Sequence, residues 1–310
     1  MTQMAELTRR AFTFSFAFAG AEHGAIARRR LGKINFQAGI LGIGAQHLGD
    51  DGVQQSHVDR VVGEAIDNGV NYFDTAPPYN LSEERLGKAL KGKRDKVFLV
   101  SKVETNARGD AMYQIRDSLR KLQTDYLDCC HIHNISRDDR FPNLEQVLAK
   151  NGTLGALLDA KKKGLIRHIG VTSHLRPSRV LPALETGEID LLMCTINHVE
   201  RHIYGYEEKV LPECRKRNIG VIAMKVLGGP VSGAGARLTS EQEYRDTLNY
   251  VWSIQGVSVA IIGIRTLEEL RTALAAARAY KPLSPSELTG ITERGKRLAA
   301  QWGPLRGPVA

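Results

Sequence analysis

The sequence predicts an α/β chain closed into a TIM-type (β/α)8 barrel, with an N-terminal hairpin and one extra C-terminal helix. Three observations lead there. Eight short apolar runs alternate with amphipathic stretches, the pattern of buried parallel strands and the helices that cover them. The alternation continues without a break in composition, which favours one closed barrel over an open sheet. The chain has 310 residues, a length common for single barrels of this kind.

The strand candidates, in order, are Ile40-Leu41-Gly42, Asn71-Tyr72-Phe73, Val97-Phe98-Leu99-Val100, Tyr126-Leu127-Asp128-Cys129-Cys130, His168-Ile169-Gly170-Val171, Leu191-Leu192-Met193-Cys194, Gly220-Val221-Ile222-Ala223 and Val257-Ser258-Val259-Ala260-Ile261-Ile262. Helical patterns cover 57–68, 108–121, 144–163, 206–217, 240–253 and 267–279. In the first of these, Val58, Val61, Val62, Ala65 and Ile66 form one apolar stripe of period 3.6. Turn signals close several of them, among them Asn68-Gly69 and Lys163-Gly164. Residues 30–38 suit a hairpin that plugs the barrel bottom, and 284–301 an additional helix. The predicted boundaries are 1–28 for an N-terminal extension, 29–302 for the barrel and 303–310 for a frayed tail.

Composition narrows the function. The formal net charge of +9 permits an anionic cofactor, but the basic residues are dispersed. The densest clusters, Arg28-Arg29-Arg30 and Lys161-Lys162-Lys163, are short and lack interleaved aromatics, so no nucleic-acid partner is expected. None of the four cysteines forms a C-x-x-C pair, so zinc and iron–sulfur sites have no spacing to rest on. Cys129 and Cys130 adjoin on one strand and should face opposite sides.

The start of the chain carries a separate signal. Thr8-Arg9-Arg10-Ala11-Phe12, the apolar stretch to Ala21 and the small-residue site Ala19-Gly20-Ala21 resemble a twin-arginine export signal. A working signal implies a bacterial, periplasmic protein; otherwise the segment is an extension of a cytoplasmic one. The stretch is too short to span a bilayer, so no stable membrane insertion is expected.

Catalytic residues of such barrels belong at the C-terminal ends of the strands. Four polar residues fall there on three successive strands: Asp74, Tyr79 in the loop beyond it, Lys102 and His133. Singly, each has an ordinary explanation as a turn, packing or surface residue. Together they suit reduction of a carbonyl group. Hydride addition leaves an alkoxide that needs a proton. A free tyrosine, with a pKa of about 10, is a poor donor near neutrality. A neighbouring ammonium favours its ionisation, and a carboxylate keeps that ammonium charged when desolvated. Tyr79 is thus the expected general acid/base, Lys102 its tuner, Asp74 the partner of Lys102, and His133 the group that orients the substrate oxygen. His131 and His133 also read as half of a metal site, but one catalytic and one packed histidine explains the pair better.

These residues lie in motifs that resemble the aldo-keto reductase family. They are Asn71-Tyr72-Phe73-Asp74-Thr75-Ala76-Pro77-Pro78-Tyr79 with Ser82-Glu83-Glu84-Arg85-Leu86-Gly87, Val100-Ser101-Lys102-Val103, Ile132-His133-Asn134, and Gly164-Leu165-Ile166-Arg167-His168-Ile169-Gly170-Val171. The resemblance runs from about residue 29 to 279. It implies an enzyme that interconverts aldehydes or ketones and alcohols with NADP(H) or NAD(H), and no metal. It places Thr172 and Ser173 at the nicotinamide carboxamide, where Ser-Asn is usual. Met193 stands for the usual glutamine and Met224 for the usual stacking aromatic; a thioether also packs on a flat ring. Lys225, Leu227 and Gly228 follow on the same rim. Gly263, Arg265 and Glu269 fall in the adenosine-phosphate loop, at a helix N-terminus suited to phosphate. Arg265 favours NADP(H) over NAD(H) by pairing a 2′-phosphate. Glu269, where arginine is often found, opposes it.

The alternative reading is a nucleotide-binding regulatory or redox-sensing subunit without significant turnover. The complete set Asp74, Tyr79, Lys102 and His133 argues for an enzyme. Substrate loops are expected at 46–55, 134–143 and 198–206, with a Gly-rich lid over 229–238. His174, His198 and Arg201 suggest polar or anionic small-molecule substrates.

Overall fold

The computed structural model describes residues 24–229, 238 and 240–309. The export-signal reading, on residues 8–21, lies outside them, as does most of the expected lid. The first elements among the described residues form an antiparallel hairpin, β1 (Arg28–Leu31) and β2 (Ile34–Gly39). Eight parallel strands follow: β3 (Leu41–Gly44), β4 (Tyr72–Asp74), β5 (Phe98–Val103), β6 (Leu127–Ile132), β7 (Ile166–Ser173), β8 (Leu191–Thr195), β9 (Gly220–Met224) and β10 (Val257–Gly263). Each pairs with the next, and β10 returns to pair with β3, which closes the barrel.

Strand alternation sorts side chains into two cores. Tyr72, Phe98, Val100, Cys129, Met193, Ile222, Met224 and Val259 fill the barrel interior. Their strand neighbours, such as Phe73, Leu99, Cys130, Leu192 and Ala223, face the helices. Cys129 and Cys130 therefore do sit on opposite faces. Leu31, Ile34 and Ala38 of the hairpin join the interior cluster and stop the barrel bottom, as the sequence predicts. The plug fits because Gly32, at φ +52°, turns against β9; a Cβ there would lie 2.3 Å from Gly220 N. Lys33 then reaches Asp190 at 3.0 Å.

The outer helices are α1 (Gln55–Asp67), α2 (Ser82–Ala89), α3 (Arg108–Leu122), α4 (Leu144–Leu148), α5 (Thr153–Lys162), α6 (Val180–Glu185), α7 (Tyr206–Lys209), α8 (Leu211–Lys216), α9 (Glu241–Ser253), α10 (Leu267–Ala279) and α11 (Pro285–Trp302). Capping boxes start the last three, at Ser240, Thr266 and Ser284. The single helix expected over 144–163 is two, broken around Lys150-Asn151-Gly152. That over 206–217 is also two, interrupted at Val210 before Pro212, which has no N–H to donate. The short α2 and α6 were absent from the helical patterns, because one or two turns carry too few apolar positions to show a period.

The C-terminal segment corrects another expectation. Residues beyond Gly303 are not a frayed end, because Arg306 is buried. Its Nη2 donates to Glu200 Oε2 at 2.7 Å, and Nε approaches Oε1 at 2.5 Å in a less well aligned contact. Tyr204 Oη accepts from the Arg306 backbone N–H at 2.9 Å. The side chains of Arg306 and Glu200 are 0% and 1% exposed, so neither charge has water to fall back on. Arg306→Ala is expected to cost about 3–5 kcal/mol, because it strands a buried carboxylate. Denaturant unfolding measures this, and a change below about 0.5 kcal/mol, typical of surface sites, contradicts the buried-pair assignment.

Candidate active site

Asp74 ends β4, Lys102 is next to last in β5, and His133 follows β6 directly, so adjacent strands bring all three to one rim. Tyr79 arrives on the loop after β4. A turn from Ala76 holds it: Tyr79 N–H donates to Ala76 O at 3.1 Å, and Ser82 N–H to Tyr79 O at 3.0 Å. The Ser82 hydroxyl anchors this loop to Ala45 O at 2.8 Å. The packing is close; a Cβ on Gly49 would lie 2.1 Å from Tyr79 O.

Lys102 Nζ sits at the centre of the group. It donates to Asp74 Oδ2 and Thr75 O at 2.8 Å each, and to Tyr79 Oη at 3.3 Å. Lys102 and Asp74 are only 2% and 3% exposed. Burial alone would push the ammonium pKa down, but the Asp74 charge and Tyr79 outweigh it and hold it above the ordinary lysine value. Burial pushes Asp74 up, against the pull of Lys102.

The phenol departs from expectation. Burial raises the Tyr79 pKa, and Lys102 offsets only part of that rise. The tuner acts in the expected direction, yet desolvation wins. Tyr79 is therefore a neutral phenol with a cation waiting beside it. Chemically, such an arrangement can give up a proton, with Lys102 placed to stabilise a phenolate.

His133 meets Tyr79 edge-on, with ring centroids 6.1 Å apart. Its Nδ1 lies 2.5 Å from Glu104 Oε1, which also contacts Arg140 Nη1 at 2.6 Å. Burial, with the nearby Lys102 and Arg140 charges, pushes the His133 pKa down to about 4, against the opposing pull of Glu104. Sequence reasoning missed Glu104. The signal was its place, two residues past Lys102 and directly after β5, at the strand end where such barrels carry their sites. His131 is fully buried and its pKa is pushed down to about 3, mainly by burial. Among the described residues no group of histidine, cysteine and carboxylate side chains could hold a metal ion.

The four residues open on one cavity of about 1380 Å³, larger than the ~300–1,000 Å³ usual for a small ligand. Thr172, Met193, Met224, Lys225, Leu227, Gly228, Gly263, Arg265 and Glu269 all line it. A nicotinamide dinucleotide fits this donor set. Among the described residues the buried Thr172 hydroxyl has no hydrogen-bond partner, and a carboxamide would supply one. Gly228 and Gly229, at φ +69° and +98°, let the backbone approach closely.

Ser173 is not part of the wall. Its hydroxyl turns away to Tyr206 Oη at 2.5 Å and Leu175 O at 3.0 Å. The N-terminus of α10, expected to suit phosphate, is capped by its own side chains. Glu269 Oε2 accepts from the backbone N–H of Arg265 at 2.7 Å and of Thr266 at 3.1 Å. Loops 46–55 and 134–143 contribute to the cavity as expected, but 198–206 does not; Arg306 and Pro308 of the C-terminal segment stand there instead. His174 lines the cavity, whereas His198 packs on Tyr250 and Arg201 pairs with Glu208.

A closed eight-stranded barrel whose rim joins a phenol, a buried ammonium, its carboxylate and an imidazole defines a barrel oxidoreductase. Residues 40–247 match the aldo/keto reductase family, and the chain belongs to it. The chain is 30% identical to L-galactose dehydrogenase of Arabidopsis thaliana over 221 residues, covering 65% of this chain and 66% of that protein. It is 31% identical to methylglyoxal reductase YeaE of Escherichia coli over 197 residues, covering 60% and 63%. Holo aldo-keto reductase AKR11C1 from Bacillus halodurans shares the fold, with a TM-score of 0.71 at 24% identity, over 86% of this chain and 96% of that one. The chain is thus an NAD(P)H-dependent oxidoreductase acting between carbonyl compounds and alcohols. No helix among the described residues is long and apolar enough to cross a membrane.

Proposed function

We propose that the chain reduces small aldehydes and ketones with NADP(H), using Tyr79 as proton donor. The chemistry supplied by a reduced nicotinamide, when bound, is transfer of hydride to the carbonyl carbon. Tyr79 gives its phenolic proton to the carbonyl oxygen as that oxygen gains charge. Lys102, held cationic by Asp74, stabilises the resulting phenolate, which solvent later reprotonates. His133 orients the substrate from the neighbouring wall. Thr172 would hold the carboxamide, and Met193 and Met224 would pack by the ring. The observation that carries this reading is the chain of contacts from Tyr79 Oη to Lys102 Nζ at 3.3 Å and on to Asp74 Oδ2 at 2.8 Å. The names of two relatives speak of galactose and methylglyoxal, both small oxygenated compounds.

For the nucleotide, Arg265 at the cavity edge supports NADP(H). Glu269 opposes it less than its charge suggests, because its carboxylate is committed to the α10 cap. Among the described residues, the Arg265 guanidinium makes one loose contact, to Asp50 at 3.8 Å, between partly exposed groups. Its guanidinium is available to a 2′-phosphate.

Two measurements check this. Nucleotide oxidation with a panel of aldehydes and ketones should fall at least about 100-fold in Tyr79→Phe, while nucleotide affinity holds. Turnover at the wild-type rate would remove Tyr79 as the donor. Arg265→Ala should weaken NADP(H) by about tenfold or more and leave NAD(H) nearly unchanged. Equal weakening of both would overturn the proposed preference.

A further inference from the structure

We propose that Arg306, carried by the C-terminal segment, is a positioning residue for the nucleotide: it holds residues 225–229 in the shape that a bound nucleotide needs. The inference rests on the reading of that stretch as nucleotide-binding and adds what sets its conformation.

The stretch follows β9 and lines the cavity. Its backbone is an unfavourable one. Lys225 has φ +55°, in the left-handed region that residues with a Cβ avoid, and Gly228 and Gly229 have φ +69° and +98°. Local preference does not hold a chain in this shape; surrounding structure must. Its carbonyl groups are held from outside. Lys225 O accepts from Asn197 Nδ2 at 3.0 Å, Val226 O from the buried Thr247 hydroxyl at 3.0 Å, and Gly229 O from Arg306 Nη1 at 3.4 Å. The Gly228 N–H closes the turn by donating to Lys225 O at 2.9 Å.

The first and last of these holds belong to one buried cluster. Asn197 Nδ2 also donates to Glu200 Oε2 at 2.6 Å, and the same oxygen accepts from Arg306 Nη2 at 2.7 Å. Asn197 Oδ1 accepts from the backbone N–H of Val199 at 3.0 Å and of Glu200 at 2.8 Å, which fixes the asparagine in place. Asn197 and Arg306 thus grip the two ends of the stretch through one shared carboxylate.

The Arg306 side chain is 0% exposed, so it does not touch a nucleotide itself. Its contribution to binding passes through the backbone of 225–229. A loop already in its bound shape loses less freedom when the ligand arrives, and the ligand leaves it more slowly. The guanidinium suits this task because its planar fork sets one nitrogen on Glu200 and another on Gly229 O. A lysine keeps the charge but brings one nitrogen where the fork brings two.

The test measures the affinity and dissociation rate of NADPH and NADH in wild type, Arg306→Lys and the double variant Arg306→Met/Glu200→Gln, together with hydrogen exchange at the Gly228 amide. Arg306→Lys, which leaves Glu200 a cation, should melt near wild type yet bind both nucleotides about threefold or more weakly, through faster dissociation. The double variant strands no charge and leaves Asn197 an acceptor, and it should weaken both nucleotides about tenfold. Gly228 should exchange faster in both variants while the amides of β4 and β5 stay protected. A purely structural role lowers the melting temperature and leaves nucleotide affinity alone. Folded variants with wild-type affinity, or weaker binding with Gly228 exchange unchanged, overturn the proposal. Failure of the nucleotide reading appears separately, as wild type that binds neither nucleotide.

Discussion

The ion pair between Lys102 and Asp74, closed off from water in the mouth of the barrel, is the interaction on which the rest of the site depends. A buried ammonium without a carboxylate loses its charge, and a buried carboxylate without a cation takes up a proton. Each therefore requires the other. The pair also sets the state of Tyr79. Burial makes the phenol reluctant to ionise, and the adjacent cation lowers the cost when it does. In the proposed reaction the proton is retained until an oxygen in the cavity gains charge, which is the timing that carbonyl reduction needs.

The barrel supplies the precision this pair demands. β4 and β5 are hydrogen-bonded neighbours, with Asp74 opposite Val100, so Lys102 stands two positions further along the same inward face. Tyr72, Phe98, Val100 and Cys129 pack directly beneath, and the N-terminal hairpin seals the far end. The loop that carries Tyr79 is pinned by Ser82 and admitted by the missing side chain of Gly49. At the opposite side of the mouth, Arg306 ties the C-terminal segment to Glu200 and reaches the carbonyl of Gly229 at 3.4 Å. The C-terminal segment and the loop after β9 are thereby joined through one buried side chain.

Much of this was legible in the sequence because it is written in local patterns. Strand and helix periods gave the barrel and its plug, and residue chemistry at strand ends gave Asp74, Tyr79, Lys102 and His133. What stayed hidden depends on partners distant along the chain. Arg306 looks like part of a polar tail until Glu200, 106 positions earlier, is placed against it. Glu104 looks like a loop carboxylate until His133 and Arg140 meet it. Ser173 shares a strand with Thr172, but the pleat turns it toward Tyr206 and away from the cavity. Glu269 reads as a charge facing the nucleotide, whereas it caps its own helix. Desolvation is the other hidden quantity, and it reverses the net shift expected for Tyr79.

Removing both charges together isolates the central claim, because it leaves neither one stranded. The double variant Asp74→Asn/Lys102→Met keeps the volume and burial of the mouth while deleting the cation beside the phenol. Single-turnover hydride transfer on nucleotide-saturated protein then measures what the pair contributes to the reaction. A folded variant slowed by about 100-fold or more is the predicted result. Hydride transfer within a few-fold of wild type would contradict the account.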